Sequence, residues 1–122
     1  MDSTLDLLQR AATRLSQDGS IKDRLADAYS AHLSGVDAEE LPETVRMDFV
    51  AMCEAMHRER PLPRESVVRA SVRKMSTDEA GQYAALVVRA LTSVARSETA
   101  IAALRHAARK PAAPVLQLFA EG

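Results

Sequence analysis

The chain has 122 residues, a hydrophobic fraction of 47% and a charged fraction of 27%, which is typical of one folded domain and excludes a disordered chain. Its formal net charge of −1 excludes a long-range electrostatic attraction of the whole protein to nucleic acid or a membrane surface. A charged partner must therefore be recognised by a local patch. The single cysteine excludes an internal disulfide, and the lack of a signal peptide pattern or an apolar span indicates a cytoplasmic protein without a membrane partner.

Two short helices are predicted at the N-terminal end. Ser3 and Ser20 each precede an acidic residue by three positions, which is a variant of the capping box that begins a helix. Apolar residues follow each serine at helical spacing, and Gly19 and Gly35 end the two segments. Because so few residues separate the two helices, we expect a tight helical hairpin or a sharp corner.

Prolines set the limits of the next two predicted helices. Pro42 fits the first position of a third helix, and Pro61 and Pro63 end it, because two prolines two residues apart cannot lie inside a helix. A short fourth helix is predicted from about Arg64 to Lys74.

The fifth helix, at about 77–96, follows the clearest capping box in the chain, which begins at Ser76. Between residues 80 and 95 its only charged residue is Arg89, so the helix is apolar on nearly all sides and is expected to be central and most buried. Ser97 indicates a kink or a new helix start, after which the helical period continues to about residue 109.

The sequence therefore predicts an all-α protein, a compact bundle of five to six helices. Aromatic residues make up only 3% of the chain, and no segment alternates apolar and polar residues as a strand does. Residues 1–110 are interpreted as a single helical domain. Residues 111–122 are interpreted as a proline-bounded apolar tail.

The sign of the charge reverses at the junction between the third and fourth helices. Residues 37–54 are mainly acidic, and residues 58–74 are mainly basic. The basic residues proposed as an interaction surface, here called the basic set, are Arg58, Arg60, Arg64, Arg69, Arg73 and Lys74. Arginine side chains suit phosphate or carboxylate recognition. The alternative is an ordinary solvated face, in which Glu65 pairs with Arg69 and Glu54 pairs with Arg58 at helical spacing.

The C-terminal tail supplies the other residues of the proposed interaction surface. They are Val115, Leu116, Leu118 and Phe119. Either the tail folds back over its own bundle as a strap, or it docks on a second copy or another protein.

Cys53 and His57 are four residues apart on the third helix and could share a metal ion or form a nucleophile and base. Two ligands do not make a metal site, and nothing marks an orienting third group or an oxyanion donor. The preferred interpretation is that Cys53 is a small buried hydrophobic residue. No catalytic residue, cofactor or metal site is predicted.

Three functions remain open. The preferred one is a non-catalytic protein–protein interaction or regulatory adaptor of bacterial type, forming a homodimer or larger homo-oligomer. The first alternative is a nucleic-acid-associated regulator that uses the face from Arg64 to Lys74. It is disfavoured because Asp78 and Glu79, at the start of the following helix, would repel phosphates. The second alternative is a small metal- or thiol-dependent enzyme.

Overall fold

The protein is all-α. The structure, a computed structural model, describes residues 2–109, and these residues form helices and connecting turns without any strand. The helices are α1 (Thr4–Leu15), α2 (Ile21–Ala31), α3 (Glu43–Ala55), α4 (Val67–Lys74) and α5 (Thr77–Arg109), with single 3-10 turns at Leu33–Gly35 and Ala38–Glu40. The predicted fold class is confirmed.

The predicted helix starts are confirmed by their capping hydrogen bonds. The hydroxyl groups of Ser3, Ser20 and Ser76 each accept a hydrogen bond from the backbone N–H three residues further on, at 3.0–3.1 Å. Helices α1 and α2 pack against each other as a hairpin. Gly19 lies in the turn between them with φ of 109°, a conformation that favours glycine.

Helix α4 begins at Val67, three residues later than predicted. Ser66 is its N-cap, and the Ser66 hydroxyl accepts a hydrogen bond from the Arg69 N–H at 3.0 Å. Arg64 lies outside the helix with φ of 67°, in the left-handed region. The surrounding turn is closed by a hydrogen bond from the Glu65 N–H to the Leu62 carbonyl at 3.0 Å.

The core forms where four helices meet. Helix α5 packs against α1, α2 and α3, and α4 packs against α2. Phe49 of α3, Leu8 of α1, Leu25 of α2 and Val87 of α5 are fully buried. The central position of α5 is confirmed for this part of the helix, but its burial is not complete on all sides, because Val88 is 53% exposed.

Helix α5 does not kink or restart at Ser97. It continues unbroken to Arg109 and is 33 residues long, which corresponds to roughly 50 Å. Every side chain from residue 96 to residue 108 is exposed. These residues, here called the α5 extension, continue the helix past the packed core. Within residues 2–109, no helix is long and apolar enough to cross a membrane.

Candidate functional site

Arg69 of the basic set is held by acidic residues of α2. Its guanidinium forms an ion pair with Asp23 at 3.3 Å and a second ion pair with Asp27. Arg14 of α1 binds the same Asp27 carboxylate at 2.6 Å. Hydrogen bonding from Arg14, together with the charge of Arg69, lowers the pKa of Asp27 below its ordinary value. Asp27 therefore links α1, α2 and α4.

Arg73 of the basic set forms a bidentate ion pair with a neighbouring carboxylate. Its Nε and Nη2 atoms donate to the two oxygens of Glu65 at 2.8 and 3.1 Å. The Leu62 backbone N–H donates to Glu65 Oε1 at 3.0 Å. The hydrogen bonds from Arg73, followed by that from Leu62, lower the pKa of Glu65 to about 2.

Two further cations of the basic set also have intramolecular partners. Arg58 pairs with Glu79 at 2.9 Å, and Lys74 pairs with Glu59 at 3.6 Å. The predicted pairs at helical spacing therefore do not form as proposed. Glu65 binds Arg73 instead of Arg69, and Arg58 binds Glu79 instead of Glu54.

Four of the six cations of the basic set are thus neutralised by acidic residues of the same chain. The remaining two, Arg60 and Arg64, are exposed in the loop before α4 and form no ion pair with any residue from 2 to 109. The six cations do not combine into one free positive surface. Arg69 joins α4 to α2, and the other three paired cations join the loop between α3 and α4 to α4 or α5.

Cys53 and His57 are not arranged as a reactive pair. The Nδ1 atom of His57 lies 2.9 Å from the Cys53 carbonyl oxygen, so this nitrogen carries the proton and donates it. The His57 ring stands edge-on to Tyr29, with ring centroids 5.7 Å apart. Cys53 is half-buried instead of fully buried, and burial raises the pKa of its thiol. The thiol is therefore protonated and weakly nucleophilic at neutral pH.

The donor groups needed for a metal ion do not converge. Among residues 2–109, no group of three or more histidine, cysteine, aspartate or glutamate side chains is close enough to hold a metal ion. Two adjacent helical ligands without further donors do not complete a coordination shell.

The α5 extension presents an apolar stripe that is mainly exposed, and the first part of this stripe lines a groove with the start of α1 and the segment before α3. Inside the bundle, Val87, Ala90 and Val94 form the buried stripe of α5 and are at most 5% exposed. The same alternation of three and four residues continues beyond the core. Ile101 is 46% exposed and Leu104 is 71% exposed. The residues of this stripe past the core, here called the apolar seam, are Ser97, Ile101, Leu104 and Ala108.

An open groove of about 580 Å³ lies on the opposite side of α5 from the seam, against α1. It is lined by Gln9 of α1 and by several residues of α5, which are Leu91, Thr92, Ala95, Arg96, Thr99 and Ala100. Its walls are mainly aliphatic. The C-terminal part of α5 thus exposes apolar surface on two opposite faces.

The sequence predicts that the helical period continues to about residue 109, but Ile101 and Leu104 were not predicted as an interaction surface. The signal was present in the spacing, because the alternation of three and four residues continues from Val87 to Ala108 with Ser97 as its one polar position. The predicted tail residues Val115, Leu116, Leu118 and Phe119 lie outside the described residues.

No protein-family model, curated protein or solved structure matches this chain.

Proposed function

We propose that this protein is a non-catalytic, cytoplasmic protein-interaction module that binds its partner through the apolar seam of the α5 extension. The observation that carries this proposal is the exposure of Leu104, which is 71% on a stripe whose earlier residues form the core. A helix with one apolar stripe is stabilised by burying that stripe against another element. Binding of a partner over the seam would therefore bury apolar surface that is now in water.

Helix energetics support the same conclusion. A helical segment as short as residues 96–108 is marginal in water when its side chains pack against nothing, because most helical stability in proteins comes from tertiary contacts. A partner helix would supply these contacts for the seam.

The two alternative functions have weaker support. A nucleic-acid role needs free cations, and the ion pairs of Arg58, Arg69, Arg73 and Lys74 occupy most of the basic set. An enzymatic role for Cys53 needs a thiolate, and burial raises the pKa of this thiol.

The test compares which proteins the purified chain captures from an extract of its source organism. Ile101→Asp and Leu104→Asp place a carboxylate on the seam and should each abolish capture. Met47→Asp is the matched control, because Met47 of α3 is 81% exposed but lies on another helix. Capture that is equal for Leu104→Asp and the wild type would refute the proposed function, provided that circular dichroism shows that the variant is folded.

A further inference from the structure

We propose that the partner of the α5 extension is the same segment of a second copy of this chain, paired with it antiparallel about a two-fold axis. This inference rests on the proposed function, since it names the occupant of the same apolar seam. Three properties of the extension support this antiparallel pairing. They are the spacing of the seam, the signs of the flanking charges and the size of the neighbouring side chains.

The spacing of the seam is that of a two-helix coiled coil. In heptad notation Ile101 and Ala108 occupy position a, and Ser97 and Leu104 occupy position d. A two-fold contact uses the same patch on both copies. In the antiparallel arrangement, Ile101 of one copy packs beside Leu104 of the other, and the axis passes between them. This contact occurs twice in the dimer, so the two most exposed apolar side chains of each extension are covered by the other copy.

The charges beside the seam favour the antiparallel orientation. Glu98 and Arg105 both occupy position e, and both are exposed. In an antiparallel pair the e positions face each other, so Glu98 of each copy lies opposite Arg105 of the other. In a parallel pair the e positions face the g positions, which are Ala100 and Ala107 and carry no charge. Only the antiparallel pair therefore gains two interchain ion pairs.

The small residues of the extension let two helices approach closely. Ala100 and Ala107 line the opposite edge of the seam and face each other across an antiparallel pair. The distance between two packed helices depends on the side chains at the contact, and alanine keeps it at the short end of the range. Close contact increases the dispersion energy of the seam.

Only about four helical turns pair, so the interface is smaller than the roughly 1,600 Å² of a standard stable complex. We therefore expect a reversible dimer with a dissociation constant in the micromolar range. Its formation should depend on protein concentration.

The experiment measures the molar mass of the full chain by sedimentation or light scattering up to high micromolar concentration. The variants are Glu98→Arg and Arg105→Glu, each alone and in an equal mixture. The wild type should dimerise. Each variant alone places like charges opposite each other twice and should raise the dissociation constant at least about tenfold.

The equal mixture should restore dimers, because both facing pairs in the mixed dimer again have opposite signs. The matched control is Arg96→Glu, since Arg96 lies on the same exposed helix at position c, outside the seam. It should dimerise like the wild type. A parallel pair would not respond to either charge change, and that result would overturn the proposal.

Two other outcomes would also overturn the proposal and show what covers the seam instead. If the wild type is a monomer while a chain with Leu116→Asp and Phe119→Asp dimerises, the tail of the same chain covers the seam. If the wild type is a monomer but extract capture depends on Leu104, the partner is another protein and the proposed function stands. If extract capture does not depend on Leu104, the proposed function itself fails.

Discussion

At the residue scale, the ionised carboxylate of Glu65 is stabilised by three hydrogen bonds. It accepts two hydrogen bonds from Arg73 and one from the Leu62 N–H, which all favour its ionised form. We expect an NMR titration to give Glu65 a pKa of about 2, compared with an ordinary value of 4.5. In Arg73→Gln the pKa should rise toward the ordinary value.

The direction of the linked pH effect follows from the sign of this shift. The folded-state pKa of Glu65 lies below the unfolded-state value, so its contribution to stability is present above the unfolded value of 4.5 and is lost as the pH falls toward about 2. Arg60→Gln is the matched control, because Arg60 is exposed in the same loop and has no ion pair with residues 2–109. An unshifted Glu65 in the wild type would contradict the assigned contact.

Cys53 is expected to react slowly with thiol reagents in the native state. Burial raises the pKa of its thiol above the ordinary 9.0, so very little thiolate is present at neutral pH. Labelling should be at least about tenfold slower in the folded protein than in urea at the same pH. Equal rates with and without urea would show that the thiol is exposed, and would favour the thiol-dependent function.

At the element scale, α5 changes from a core helix to an exposed helix along its length. Leu86 is 3% exposed and Leu104 is 71% exposed on this one helix. Leu86→Ala should cost about 2–5 kcal/mol of unfolding free energy, as truncation of a core leucine does. In dilute, monomeric protein, Leu104→Ala should cost no more than about 0.5 kcal/mol. Urea unfolding of both variants measures the difference, and equal costs would show that Leu104 packs inside its own bundle.

The helix starts could be predicted from the sequence because capping is local. Ser3, Ser20 and Ser76 bind backbone groups only three residues away, so the pattern and the contact occupy the same short segment. The predicted start of α4 was wrong by three residues. Arg64 has a positive φ, and an arginine in the sequence does not indicate this conformation. The proposed break at Ser97 was wrong because no proline or glycine interrupts the helix there.

The ion pairs could not be predicted because they join residues that are far apart in the sequence. Arg69 binds Asp23 and Asp27, which precede it by more than 40 positions, and Arg58, in the loop after α3, binds Glu79 of α5. Rules for neighbouring charges on one helix consider only residues three or four apart. The same limit applies to the seam, because its exposure depends on where the other helices end.

At the scale of the whole molecule, the two kinds of surface have different roles. Arg69 joins α4 to α2, and Arg58 joins the loop between α3 and α4 to α5, through partly exposed ion pairs that salt weakens. The seam of the α5 extension is apolar, and hydrophobic contact persists in salt. Charge reversal along the sequence therefore does not by itself require a second copy, and the proposed self-association rests on the seam.

If two copies pair through the seam, folding and association are thermodynamically linked. The thermal unfolding midpoint of the wild type should then rise with protein concentration, by about 2–4 °C for each tenfold increase above the dissociation constant. Leu104→Asp should remove this dependence because its carboxylate would be buried in the interface. Met47→Asp should retain it, because Met47 lies on α3, away from the seam. The midpoints can be measured by calorimetry or by the circular dichroism of the helices. A wild-type midpoint that stays constant over two decades of concentration, from a protein that unfolds reversibly, would contradict pairing between copies, because a dimer that dissociates on unfolding must be stabilised by mass action.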